Sequence, residues 1–298
     1  MKRVLVTGAS GLLGRPVLNE FCNASWDTLG CAYSRAVGVL KKVDIQDEIQ
    51  VRQVFEDFKP SIVIHAAAER RPDVVEKQEE ATKRLNVDAT AMISRICAEY
   101  GAFMLFISTD YVFDGTSPPY KTDAKPNPLN KYGKSKLDGE NATLDNNSES
   151  AVLRVPILYG EVEKLGESAV SVLFNPVQDT SKPAPMSDYE IRYPTHVRDI
   201  AIIIRKLAEK RLEDSSIKGI YHWSADESMT KYTMASTMCE IFDLPTHHIV
   251  ADKEPSKGAP RPYNAHLDRS RLEGIGITTH SILFKDGIKE CLKPFLKK

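Results

Sequence analysis

No basic block interleaved with aromatics occurs in this sequence. Lysine plus arginine (40) and aspartate plus glutamate (41) leave a formal net charge of -1. A polyanion such as nucleic acid would find no electrostatic footprint here, which sets that partner class aside. No apolar run approaches the ~20 residues of a membrane-spanning helix. The N-terminal apolar stretch Val4-Leu5-Val6 meets Gly8 and Gly11 too soon to be the core of a secretory signal. The five cysteines (Cys22, Cys31, Cys97, Cys239, Cys291) are scattered. Neither they nor the His and carboxylate residues have metal-ligand or redox-pair spacing. Their default reading is small apolar side chains in a reducing compartment, with no metal bound. Internal repeats and low-complexity tracts are absent too. The expectation is a soluble, cytoplasmic protein, with nuclear presence left open. At 298 residues it suits one large domain or one and a half.

What is present begins at once. Arg3 to Thr7 is a short Val/Leu-rich run, as a buried parallel strand would be. It enters Gly8-Ala9-Ser10-Gly11-Leu12-Leu13-Gly14 and then a helical pattern with Val17, Leu18, Phe21 and Cys22. Backbone N–H groups at such a helix start can hold a pyrophosphate, and glycines let it approach closely. The Gly-x-x-Gly-x-x-Gly spacing differs from the common dinucleotide fingerprint, but the strand–turn–helix context is that of a dinucleotide site. A second strand, Thr28 to Tyr33, ends in Ser34-Arg35 where NAD sites carry an acidic residue. A guanidinium with a hydroxyl suits a 2′-phosphate, which favours NADP; the alternative is a solvated arginine. Val43-Asp44-Ile45 reads as a short third strand, with Asp44 and Ile45 placed to flank an adenine. After a helix from Gln46 to Phe58, the strand Ser61 to His65 opens into Ala66-Ala67-Ala68, where a ligand could lie against the backbone. Of the following Arg70 and Arg71, one is expected at phosphates or a partner and the other in solvent. Val74 to Tyr100 reads as one helix with the polar Asn86 in its middle. That amide needs partners, either the active-site lysine through water or a neighbouring backbone.

The stretch from Ile107 to Lys136 carries the chemistry. Thr109 stands at the carboxyl end of a strand from Ala102, where a catalytic hydroxyl should be. Tyr132 and Lys136 lie four apart on one face of a helix running to about Leu144. An ammonium beside a phenol favours the phenolate and moves the tyrosine toward a useful pKa; the bland alternative is a surface pair. In the functional reading Tyr132 donates a proton to a carbonyl, Thr109 orients it, and Lys136 tunes the phenol and bonds the nicotinamide ribose. After a strand at Ala151 to Val155 and the segment Pro156 to Gly160, strand–helix alternation fades. Glu190 to Pro194 looks extended, and a helix from Thr195 to Leu207 should start near Thr195 or Asp199. Gly219 to Trp223 returns as a strand, Thr230 caps a helix to Phe242, and a last helix spans about Ile282 to Leu292. The fold expected is α/β: a Rossmann-type doubly wound parallel sheet over residues 1–160, with later segments able to join it, and a smaller substrate- or partner-side α/β domain over 161–298.

These residues resemble the extended short-chain dehydrogenase/reductase superfamily over nearly the whole chain. Ser108 to Gly115 with Asn130 to Lys136 is similar to its dTDP-4-dehydrorhamnose reductase branch. Within that branch, Ala68 to Glu76, Val155 to Leu165, Tyr193 to Val197, and His222-Trp223-Ser224 with Met229 to Tyr232 resemble the family of regulatory β subunits of methionine adenosyltransferase. The resemblance implies NADP held by Ser10-Gly11-Leu12-Leu13, Tyr33-Ser34-Arg35, Asp44-Ile45, Ala66 and Arg70, with contacts from Tyr132, Lys136 and Leu158. It also implies a partner, the catalytic subunit of methionine adenosyltransferase, which the β subunit tunes. Retained reductase residues keep a second function open, NADPH-dependent reduction of a nucleotide-sugar ketone through Thr109, Tyr132 and Lys136. Members of the β-subunit family extend before the first strand and past the last helix, with a tail that docks into the partner. Here the strand begins at Arg3 and the sequence stops at Phe295-Leu296-Lys297-Lys298. If that tail carries the contact, binding to the partner is expected to be weaker or differently built.

Overall fold

The computed structural model describes residues 2–297. The first half alternates as β1 (Arg3–Thr7), α1 (Gly14–Asn23), β2 (Asp27–Ala32), β3 (Lys41–Lys42), α2 (Glu48–Phe58) and β4 (Ile62–His65). Then follow α3 (Pro72–Val75), α4 (Glu79–Lys83), a π-helical turn (Arg84–Asp88), α5 (Ala89–Glu99), β5 (Phe103–Thr109), α6 (Lys131–Asn146) and β6 (Ala151–Val155). The second half holds β7 (Leu158–Tyr159), α7 (Phe174–Gln178), β8 (Ala184–Ser187), β9 (Thr195–His196), α8 (Val197–Glu213) and β10 (Gly219–His222). It closes with α9 (Lys231–Phe242), β11 (Ile249–Asp252), α10 (Ser270–Gly274) and α11 (Phe284–Leu292).

A seven-stranded sheet in the order β10-β6-β5-β4-β1-β2-β3 forms the centre, and its pairings are parallel. Its central strands are apolar at successive positions because both faces are covered. Val4, Val6, Ile64, Leu105 and Leu153 face a layer containing α1 and α8, with Ile200, Ile204 and Leu207 packed on them. The alternate residues Leu5, Val63, Met104, Phe106 and Val152 face Val51 and Phe55 of α2 and Ile93 and Ile96 of α5. The period of two thus sorts one continuous apolar strand into two cores. A third apolar cluster joins α7, α9, α11 and the parallel pair β8–β11. Cys31, Cys97, Cys239 and Cys291 are buried, while Cys22 is exposed.

Several elements depart from expectation. The helix predicted over Val74 to Tyr100 is α3, α4, the π turn and α5, with a break at residues 76–78. The third strand lies at Lys41–Lys42 rather than 43–45, because pairing with β2 stops at Ala32. The Val43 N–H still reaches the Ala32 carbonyl at 2.9 Å. α2 starts two residues after Gln46 because the Asp47 carboxylate accepts from the N–H groups of Ile49 and Gln50. α8 is capped by neither Thr195 nor Asp199. The ring of His196 accepts from the Arg198 N–H, and the helix runs on to Glu213. β10, from the second half, pairs with β6 at the sheet edge, in keeping with the expectation that later segments can join the sheet. The pair β8–β11 was not expected: Pro185 interrupts one strand and the other is four residues long.

Candidate functional site

The strand order reverses direction between β1 and β4, so their following connections leave on opposite faces and a crevice opens at the carboxyl ends. A cleft of about 520 Å³ lies there. The structure brings every sequence-predicted site residue to its walls. Gly8 and Ser10 through Gly14 form the floor, followed by Tyr33-Ser34-Arg35, Asp44-Ile45, Ala66-Ala67 and Arg70. Thr109, Tyr132, Lys136 and Leu158 line it as well.

The floor has the shape that its glycines dictate. Gly8 has φ +68°, and a Cβ there would stand 2.8 Å from the Ala67 nitrogen. At Gly14 a Cβ would run into the Gly8 carbonyl oxygen, so α1 could not seat against the turn. Leu13, at the N-cap of α1, supplies no side-chain hydrogen bond to the first N–H groups of the helix. Of the first-turn donors, the Arg15 N–H bonds the Gly11 carbonyl and the Val17 N–H the Leu13 carbonyl, both at 3.1 Å, and Pro16 carries none, which leaves the Gly14 N–H for a ligand.

At the far wall, Asn130 caps α6 by accepting from the Gly133 N–H at 2.8 Å and donates to the Pro260 carbonyl at 2.7 Å. A Cβ at Gly133 would overlap the Tyr111 carbonyl oxygen. The glycine therefore lets α6 press onto the turn after β5, where Tyr111 and Tyr132 meet edge-on at 5.8 Å. Thr109 donates to the Asp110 carboxylate at 3.0 Å and accepts from the Tyr111 N–H at 3.2 Å. Burial raises the Asp110 carboxyl to about 6, opposed by the charge of Arg192 and the Thr109 bond.

Lys136 is buried, and its ammonium sits 3.9 Å from the centroid of the Phe106 ring. Burial depresses its pKa to about 7, and only the charge of Glu140 works the other way. The Tyr132 phenol is pushed up, first by burial and also by the charge of Asp110, against a lowering hydrogen bond from Thr109. The expected lowering of the phenol by Lys136 is therefore not what this arrangement gives. Desolvation dominates both groups, and Lys136 is itself only about half charged near neutral pH.

Asn86 resolves into the second of its two expected roles. Its amide accepts from the Glu69 N–H at 2.9 Å and donates to the Glu69 carbonyl at 3.0 Å and to Ser135 Oγ at 3.1 Å. It thereby fixes the backbone beside Arg70. Arg71 is exposed and pairs with Glu69 at 2.7 Å. Among the described residues, no group of three or more His, Cys, Asp or Glu is placed to hold a metal ion. No helix there is long and apolar enough to cross a membrane.

Among the wall residues that the sequence reading did not single out, one is charged and reaches across the cleft. Glu167, on the 3-10 turn Leu165–Glu167, reaches into the cleft and pairs with Arg35 and Arg15. Its partners lie 132 and 152 positions away in sequence, so no local pattern announced it. The only trace was the acidic spacing Glu161, Glu163, Glu167 in an otherwise irregular segment.

Comparison with known proteins agrees with this architecture. The family described as RmlD substrate binding domain matches residues 1–297. Methionine adenosyltransferase 2 subunit beta from Xenopus laevis is 52% identical over 297 residues, covering 99% of this chain and 88% of that protein. The Mus musculus protein of the same name is likewise 52% identical, with the same coverage. Among solved structures, dTDP-4-dehydrorhamnose reductase from Bacillus anthracis in complex with NADP superposes with TM-score 0.84 at 25% identity, covering 99% of each chain.

Proposed function

Since the chain belongs to the methionine adenosyltransferase 2 β-subunit family, within the RmlD substrate binding domain group, we propose that it is an NADP-binding regulatory subunit. In this reading it binds the catalytic subunit of methionine adenosyltransferase in the cytoplasm and modulates S-adenosylmethionine synthesis. The observation that carries the reading is the 52% identity over 297 residues with proteins of that name.

The residues of the cleft fit NADP. Gly8 and Gly14 let the turn pack onto Ala67 and onto itself with no side chain between, so that its backbone lines the cleft where a pyrophosphate would lie at the start of α1. Arg35 and Ser34 suit the 2′-phosphate, and Asp44 and Ile45 the adenosine. Ala66, Ala67 and Arg70 would border the middle of the dinucleotide, and Tyr132, Lys136 and Leu158 its nicotinamide half. When bound as NADPH, the cofactor supplies a hydride.

The second reading, a reductase of a nucleotide-sugar ketone, rests on the intact Thr109, Tyr132 and Lys136. The electrostatics favour the first. A phenol pushed up by burial is a weaker acid, and Lys136 lies against Phe106. Both residues can hold a ligand without exchanging a proton. The test is a pull-down of the purified catalytic subunit with this chain, with and without NADP. A complex at micromolar concentration is expected. No complex, together with NADPH consumption on dTDP-4-dehydrorhamnose that Tyr132→Phe abolishes, would reverse the order of the two readings.

A further inference from the structure

The guanidinium suited to a 2′-phosphate already holds carboxylates. Arg35 pairs with Glu167 and, at 3.2 Å, with Glu163. Arg15, on the first turn of α1, donates to both oxygens of Glu167, at 3.1 Å to Oε1 and 2.9 Å to Oε2. The Glu163 N–H adds a third kind of donor, 2.9 Å from Oε2. The Glu167 side chain is only 5% exposed. Burial alone would raise its carboxyl, yet hydrogen bonds from Arg15 and Arg35 hold it down to about 2, so it is ionised at any working pH.

The backbone of the same residue is engaged too, since its carbonyl accepts from Arg70. Segment 161–169 therefore crosses the cleft as a strap, tied to arginines that follow β2 and β4 and to one that opens α1. The strap has its own anchors. Ser168 Oγ donates to the Leu158 carbonyl at 2.8 Å. At the other end Arg198 pairs with Glu161 and, at 3.0 Å, with Glu290 of α11.

We infer that Glu167 is an internal competitor for the anionic end of the dinucleotide: its carboxylate occupies Arg15 and Arg35, and NADP binds by exchanging its 2′-phosphate for that carboxylate and loosening the strap. This rests on the NADP reading above. A phosphate placed on Arg35 would stand beside a buried carboxylate on the same guanidinium, and like charges so placed repel strongly. One of the two must give way. The affinity seen for NADP is then the intrinsic affinity reduced by the fraction of molecules in which Glu167 has left. NAD has no phosphate to place on Arg35, so it neither displaces Glu167 nor gains from its removal.

Calorimetry with NADP and NAD tests this on the full chain. Glu167→Gln keeps the shape and removes the charge. It should tighten NADP roughly threefold to tenfold by abolishing the competition, and change NAD by less than about twofold. Glu163→Gln, at an exposed side chain, should give a smaller gain in the same direction and answers the question should the buried variant fold poorly. Arg35→Ala should weaken NADP more than NAD. The inference is overturned if Glu167→Gln leaves NADP unchanged, or weakens it alongside Arg35→Ala, because Glu167 would then support Arg35 instead of competing for it. Equal losses of both cofactors in Arg35→Ala remove the 2′-phosphate from Arg35 and the competition with it, whereas no NADP binding by the parent and Glu167→Gln alike removes the cofactor reading itself.

Discussion

Burying an ammonium beside an aromatic ring, as Lys136 is buried over Phe106, has a measurable consequence for stability. Its pKa falls from 10.5 to about 7, with burial as the first cause. Between those values the unfolded chain binds more protons than the folded one, so the contribution of this residue to stability rises with pH across that window. Below about 7 both states are charged and the desolvation penalty is fully present. Lys136→Met should therefore be more stable than the parent at pH 7, by about 1–2 kcal/mol, as when other buried charges are replaced by apolar groups. The difference should shrink as pH approaches 10. Urea unfolding of both proteins at several pH values checks this. A parent that is the more stable at pH 7 would mean that Phe106 and Glu140 compensate the ammonium fully. At this scale much of the cleft was legible. Thr109, Tyr132, Lys136 and Arg35 are recognisable because the chemistry restricts residue type at a fixed place relative to a strand end. Glu167 was not, because its role exists only through arginines far away in sequence.

Elements were legible in proportion to how locally they are determined. β1, β4 and β5 are buried on both faces, so their apolar runs speak for themselves. Thr230 caps α9 with a reciprocal bond to Thr233, as its position before an apolar pattern predicted. β8 and β11 exist because each pairs with the other across 65 residues of chain, which no window of sequence contains. The π turn Arg84–Asp88 is a similar case. Its extra residue rotates the helix so that Asn86 addresses the loop after β4, and π-helical insertions characteristically serve such local needs. Asn86→Ala would leave the N–H and carbonyl of Glu69 without their side-chain partner and should destabilise by about 2 kcal/mol. Asn86→Asp should not rescue it, because a carboxylate cannot donate to Glu69 and Ser135. Thermal unfolding of the two variants is the measurement. An alanine variant within about 0.5 kcal/mol of the parent would show that water replaces the amide at little cost.

Over the whole molecule, the sheet is completed by chain that follows the nucleotide-type half. β10 pairs with β6 from Gly219↔Ala151 to His222↔Arg154. Ile200, Ile203, Ile204 and Leu207 of α8, with Trp223 and Leu272, are fully or almost fully buried in the same cluster as Val4, Ile64 and Leu105. Hydrophobic periodicity announced α8 and β10 as elements, but where they pack is a property of topology, beyond the reach of any local pattern. Each such side chain contributes about 1.5–3 kcal/mol when removed from water. Those six together are worth on the order of 10 kcal/mol, comparable with the entire net stability of an ordinary domain. A fragment ending at residue 160 would expose the apolar face of β1, β4, β5 and β6 and lose the neighbour of β6. It should therefore unfold without a cooperative transition and bind a hydrophobic dye, whereas the full chain should melt cooperatively and bind little. A cooperative urea transition from the isolated 1–160 fragment would instead mean that α1 and its neighbours close that face unaided. The competition proposed at Arg35 depends on the same integration. Glu167 can reach Arg35 and Arg15 only because the chain beyond β6 is held against the sheet, with Arg198 of α8 anchoring the strap at Glu161.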